Sequence, residues 1–420
     1  MAEKETVKAY YEAMGEHLEK ELIPFWAARG VDALHGGYLT NYDRDGKPQV
    51  DLRKAIVTQA RMVWGFSAFH SAYPAYPGLL EAARQGVDFL IRHFWDSRHG
   101  GWAWMCDREG RVLDNGKVTY GQSFMIYALA QYGVSSGDPR GLEYAGRTFD
   151  LLQKYATDTR HGAYYENMEE DWSLSQPGYF AGDRKSLDIH MHLLEAFTTL
   201  YQLSGEDIHK RKLNEVISVI LDKMVDHQAG CGRNQFDAAL NPIAPIAIRR
   251  TWNDDRGKGE VIRELVDTTS YGHNLELAWL LERAGSLTGD PPERFDRYIR
   301  QLADHALAYG FDHELGGVYR DGPHIGPALV RDKEWWQNCE SLVGFLCACQ
   351  RLGDERYLQA FFRNWDFDSA YLINHQAGEW HQLAGAQGDI LIGDLGNLWK
   401  GMYHTGRAVL ECVSRLRAML

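Results

Sequence analysis

The sequence predicts an all-α chain: an (α/α)6 barrel of twelve helices in six hairpin repeats. Three observations predict it. One turn motif recurs six times, its copies are nearly evenly spaced, and the chain between copies reads as two helices of different composition.

The turn is the first element. Its copies are DALHGGY from Asp32, DSRHGGW from Asp96, DTRHGAY from Asp158, DHQAGCG from Asp226, DHELGGV from Asp312 and NHQAGEW from Asn374. Each has Asp or Asn, three variable residues and a glycine, most often with an aromatic close behind. The pattern marks a turn that needs φ > 0, which glycine adopts without steric penalty. His35, His99 and His161 belong to these turns and are read as structural.

A helix follows each turn, as in YGQSFMIYALAQYG from Tyr120 and SLDIHMHLLEAFTTLYQL from Ser186. These helices carry few charges beyond their first turns, so they are expected to form the buried inner ring. A second helix leads into the next turn and is amphipathic, most clearly in HKRKLNEVISVILDKMVD from His209. It belongs outside. The polar and aromatic residues of the inner helices cluster at their starts, where they line one mouth of the barrel.

Successive copies begin 64, 62, 68, 86 and 62 residues apart. The surplus in the long interval lies between Asn241 and Thr269 and includes PIAPIAIRRTWNDDRGKGEV. Such loops are uncommon and often serve as lids or binding loops. Residues 1–420 therefore read as one barrel domain, without a linker, carrying an insertion at about 241–269.

Bulk properties narrow the partners. A net charge of −13 over 420 residues disfavours nucleic acid and anionic membrane as main partners. No apolar run approaches the roughly 20 residues of a membrane span. The six cysteines form no C-x-x-C pair, and the charged N-terminus MAEKETVKAYYEAMGEHLEKEL has no apolar signal segment. The expectation is a cytoplasmic protein, monomer or homodimer, that takes a small molecule. No G-x-x-x-x-G-K-[ST] or G-x-G-x-x-G element points to a nucleotide.

Six distant segments then deliver groups suited to proton chemistry to the mouth: Arg61, Tyr120, Asp188 with His192, His273 with Glu276, Trp336 with Glu340, and Trp399 with His404. His190 lies two residues from His192 and on a helix faces elsewhere, so it is expected to pack or cap. Trp335 is read as core. His190, His192 and His273 show no carboxylate at a usual metal-ligand spacing, so neither a metal nor another cofactor is expected.

The segments KAIVTQARMVW, LDIHMHLLEAFTTLY, SYGHNLELAWLL, KEWWQNCESLVGFL and LWKGMYHTGRAVLE resemble the N-acylglucosamine 2-epimerase superfamily, and most of all its cellobiose 2-epimerase and mannose 2-epimerase branch. The resemblance runs in order across nearly the whole chain. It implies the (α/α)6 fold, no metal, and catalysis at C2 of a ring-opened sugar. It also implies that His404 and His273 are the general acid/base pair, with His192 a third active-site histidine linked to ring opening. Arg61 would contact the reacting sugar's oxygens, and Tyr120, Glu276, Trp336 and Trp399 would complete the pocket. The chain departs from that branch in having Asp188 for the usual Asn, Asn274 for Asp, and Gln337 for proline. These changes are expected to flank the sugar rather than the histidines, and the longer insertion points to a monosaccharide such as mannose or glucose.

The chemistry accounts for the residue types. Moving a proton at C2 passes through an enediolate, which needs a base titrating near working pH and donors around its oxygens. Arg61 suits the oxyanion. Glu276, three residues after His273, is expected to hold that imidazole in one tautomer. Three rivals remain: an aldose–ketose isomerase returning the proton to C1, a glycoside hydrolase using Asp188 and Glu276, and a non-catalytic sugar-binding relative.

Overall fold

Six helices close into a ring, five of them apolar almost all round and the last, Tyr403–Met419, with charges along its second half. The computed structural model describes residues 2–256 and 268–420; residues 257–267 of the expected insertion lie outside the described residues. The helices are α1 (Ala2–His17), α2 (Ile23–Arg29), α3 (Ile56–Ala72), α4 (Leu79–His93), α5 (Thr119–Ser136), α6 (Pro139–Leu151) and α7 (Leu187–Ser204). The second half adds α8 (Asp207–Val219), α9 (Trp252–Arg256), α10 (Tyr271–Thr288), α11 (Asp296–His305), α12 (Trp335–Leu352), α13 (Glu355–Phe367) and α14 (Tyr403–Met419).

The inner ring is α3, α5, α7, α10, α12 and α14, each packed on the next, with α14 returning to α3. Outside, α4, α6, α8, α11 and α13 pack on the inner helix that precedes each of them, and α1 packs on α14. The predicted twelve-helix barrel is present, and the chain's first helix closes it against the last. Among the described residues no helix is long and apolar enough to cross a membrane.

Local chemistry fixes the ends. Ser186 and Ser270 cap α7 and α10, their hydroxyl oxygens accepting from the backbone N–H of Ile189 and His273. Outer helices α6, α8, α11 and α13 each run into a single π turn, as at Leu152–Ala156 and Ile220–Met224. In the turns, Gly36, Gly100, Gly162, Gly230, Gly316 and Gly378 all take positive φ.

Two buried polar layers repeat with the turns. Asp32, Asp96, Asp158 and Asp312 each accept two backbone N–H groups of their own turn with one oxygen. The other oxygen pairs with a fully buried lysine just ahead of the next inner helix: Lys54 at 3.2 Å, Lys117 at 2.9 Å, Lys185 at 2.7 Å and Lys333 at 2.8 Å. The sixth repeat uses Lys400 with Glu379 at 3.2 Å. In the fourth, Thr269 holds the lysine position and Asp226 takes Arg233 instead.

The second layer sits in the first turns of the inner helices. Gln59, Gln122, His190, Asn274 and Asn338 accept from the backbone N–H of Tyr38, Trp102, Tyr164, Gly232 and Val318. His190 is thus a turn clamp, with its other nitrogen on the Ser186 carbonyl at 2.6 Å; burial pushes it down to about 4, so it stays neutral. Asn274 is another clamp, fully buried behind the mouth. This corrects the expectation that the change at Asn274 flanks the sugar.

Lys333→Met strands Asp312 without its cation in a buried turn. Urea unfolding is expected to register a loss of about 3 kcal/mol. A loss under about 0.5 kcal/mol would reduce the repeated lysines to packing.

Candidate active site

The starts of the inner helices converge on a cavity of about 800 Å³, within the range of small-molecule sites. Its walls include Arg61 from α3, Tyr120 from α5, Asp188 and His192 from α7, His273 and Glu276 from α10, Trp336 from α12, and Trp399 and His404 at α14. Of the residues that the sequence places at the mouth, Glu340 alone is missing from the walls. It lies fully buried behind His404, its Oε1 2.7 Å from Nδ1 of that ring. The expectation that Glu340 lines the mouth is therefore corrected: one helical turn beyond Trp336, it backs a histidine.

His404 is also held by its surroundings. Burial, then the positive charges of Arg61 and Arg407, push it well below the ordinary histidine value, so the ring is neutral. Burial pushes Glu340 the other way, up to about 8, with Arg407 offsetting only part of the rise. Below that value the Glu340–His404 unit holds an extra proton. Above it, the carboxylate accepts from Nδ1–H and leaves Nε2 with a bare lone pair.

His192 behaves oppositely. Burial lowers it, but Asp188 at 3.3 Å from Nε2 and Glu195 at 3.2 Å from Nδ1 outweigh burial and hold it up at about 9. It is a cation at neutral pH. Tyr120 and Phe124 pack around its ring.

His273 faces the cavity with its ring 4.6 Å from that of Trp336, and His404 meets the same indole at 5.8 Å. Its Nε2 is 3.6 Å from Asp188. Glu276 does not hold it. Although the two share a helical face, Glu276 sits a turn deeper and takes Arg407 at 2.5 Å. Asp188 instead lies between His192 and His273, so this departure from the family pattern touches the histidines and not only the sugar.

Arg407 is the hub that sequence reading missed, together with Glu195 and Tyr403. Its guanidinium bonds Glu195, Glu276, Glu340 and the Tyr403 hydroxyl, and stacks 4.7 Å from Trp279. Burial would raise Glu195, yet Arg407 and His192 keep it ionised at about 2. The available signal was one i, i+3 spacing, His404 to Arg407 in MYHTGR, together with charges inside helices otherwise apolar. Arg61 donates to the Trp399 carbonyl at 2.5 Å and the Tyr120 hydroxyl at 3.0 Å.

The described part of the expected insertion lines the cavity, from Pro245 to Ile248 and from Arg250 to Asn253. It is fastened by Arg250 to Asp114 at 2.6 Å, by Trp252 Nε1 donating to Glu334 at 2.8 Å, and by Trp399 Nε1 donating to Asp255 at 2.7 Å. Trp335 is buried as expected, yet its ring backs both Trp252 and His404.

Glu276, Glu340 and His404 bring ligand-type atoms within 4.8 Å of one another. These residues do not fit a metal ion, because the Arg407 guanidinium already bridges both carboxylates at 2.5 and 2.7 Å and supplies the positive charge there.

The family model for N-acylglucosamine 2-epimerase (GlcNAc 2-epimerase) matches residues 37–408. Cellobiose 2-epimerase of Bacteroides fragilis is 28% identical over 95% of this chain and 98% of its own length. N-acylglucosamine 2-epimerase of Homo sapiens is 23% identical over 100% of this chain and 92% of its own. The solved cellobiose 2-epimerase of Spirochaeta thermophila superposes with a TM-score of 0.86 at 29% identity, covering 99% of this chain and 98% of that one. A barrel of six helical pairs, a histidine-lined mouth and a match running through nearly every repeat agree: the chain belongs to the N-acylglucosamine 2-epimerase family.

Proposed function

We propose that this protein is a carbohydrate 2-epimerase that interconverts C2 epimers of a free aldose through an enediolate. The observation that carries the reading is the pairing, in one cavity, of a neutral His404 backed by Glu340 with a cationic His192 backed by Glu195. Once the ring is open, His404 Nε2 takes the C2 hydrogen as a proton. The C–H electron pair forms the C1–C2 double bond, and the carbonyl π pair moves to O1. Arg61 and protonated His192 donate to the enediolate oxygens. His273, on the other side of the sugar, returns a proton to C2 from the opposite face, and the roles reverse in the other direction.

The names of the relatives support 2-epimerisation. The expected insertion along the cavity supports a substrate with one ring, mannose or glucose, over a β-1,4-linked disaccharide. Six free cysteines, five of them buried, support a reducing, cytoplasmic setting.

The test is incubation with mannose in D2O followed by NMR. Glucose carrying deuterium at C2 is expected. Fructose as the main product would make the protein an aldose–ketose isomerase, with the proton delivered to C1. Absence of exchange at C2 across mannose, cellobiose, mannobiose, N-acetylglucosamine and sulfoquinovose would end the proposal.

A further inference from the structure

Glu166 is a cavity-wall residue that the proton-transfer machinery does not use. It is 3% exposed, yet it lines the cavity beside Asp188 and Ser186. Its backbone carbonyl accepts from Thr119 N–H at 2.9 Å, and the next residue, Asn167, pairs with Val118. Asn167 in turn donates to the carbonyls of Phe180 and Arg249 at 3.1 Å each. The backbone at Glu166 is thereby pinned to the start of α5.

The carboxyl is incompletely satisfied. The Ser186 hydroxyl favours its charged form, but Oε1 is buried and has no partner. Buried polar atoms in folded proteins are nearly always paired, and an exception in a cavity wall points to a ligand that completes it.

We propose that Glu166 is a sugar-binding residue whose carboxyl group hydrogen-bonds a hydroxyl of the bound aldose, and that with Asp188 it selects the sugar. The proposal rests on the epimerase reading for the class of ligand. Burial, with the Asp188 charge adding to it, pushes Glu166 up to about 8, so at neutral pH it has an O–H to donate. Burial would raise Asp188, but His192, His273 and Arg61 hold it low and ionised, an acceptor only. A sugar hydroxyl both donates and accepts. A neutral acid next to a carboxylate therefore matches a pair of neighbouring hydroxyls, and rejects a sugar that lacks one of them.

The experiment compares wild type with Glu166→Gln, Glu166→Ala and Glu166→Leu on mannose and on its 3-, 4- and 6-deoxy analogues. Glu166→Ala is expected to raise KM roughly tenfold with kcat within about threefold, while Glu166→Gln, which keeps a donor and an acceptor, stays within about threefold of wild type. Wild type is expected to lose about tenfold in kcat/KM on one deoxy analogue, and on that analogue Glu166→Ala loses nothing further. Equal penalties on every sugar, or a loss of kcat with KM unchanged, would overturn the assignment. Glu166→Leu, close in size, reads the same quantities where the alanine variant does not fold; failure of both to fold would give the group to the fold and overturn the proposal. A failure of the epimerase reading is seen separately, as wild type that exchanges no C2 hydrogen.

Discussion

His404→Gln is expected to lose C2 hydrogen exchange by about 10³-fold or more in kcat, the upper part of what a positioned general base contributes, with KM changed only a few-fold. Glutamine keeps a polar group near Glu340 but cannot accept a proton at working pH. The pH profile supplies the second half of the prediction. In wild type, the Glu340–His404 unit must shed its extra proton before Nε2 can take one from carbon, so kcat/KM climbs as pH rises through about 8. His192 must keep its proton to serve the enediolate oxygens, so the rate falls as pH passes about 9. The result is a bell with its maximum between those values. Glu340→Gln removes the acidic limb and lowers the plateau, since the amide can no longer take Nδ1–H as a charged acceptor. A His404→Gln variant that exchanges at a tenth of the wild-type rate or faster would remove His404 from the base position.

Arg407→Met is expected to cost about 3–5 kcal/mol in stability, because it strands three buried carboxylates from three helices without their shared cation. Chemical unfolding measures it. Arg407→Lys recovers only part of the loss: an ammonium is a point charge, and Glu195, Glu276 and Glu340 are gripped by a planar fork. The catalytic consequence follows from geometry, since Glu195 orients His192 and Glu340 orients His404. Both variants should therefore lose kcat even under conditions where they remain folded. A methionine variant as stable and as active as wild type would show that the carboxylates carry protons of their own and need no partner.

These predictions draw unequally on sequence and structure. The six Asp-to-Gly turns and the apolar inner helices were readable because local conformation and burial leave periodic marks in a chain. The lysines at 54, 117, 185, 333 and 400 carry a mark of the same kind, one per repeat, that becomes meaningful once their aspartate and glutamate partners are seen. Arg61, Tyr120, His192, His273, Trp336, Trp399 and His404 were legible from motif order across the repeats.

The sequence by itself determined the sixfold helical architecture, the family and the set of side chains delivered to one mouth. Tertiary structure alone decided which carboxylates serve His273 and His404. Glu276 is three residues from His273 and yet bonds Arg407, while Glu340 reaches His404 from 64 positions away. The physical reason is that hydrogen bonds depend on the rotation of neighbouring helices about their axes. In a closed ring that rotation is fixed by packing with the whole circle, which no segment of the chain records.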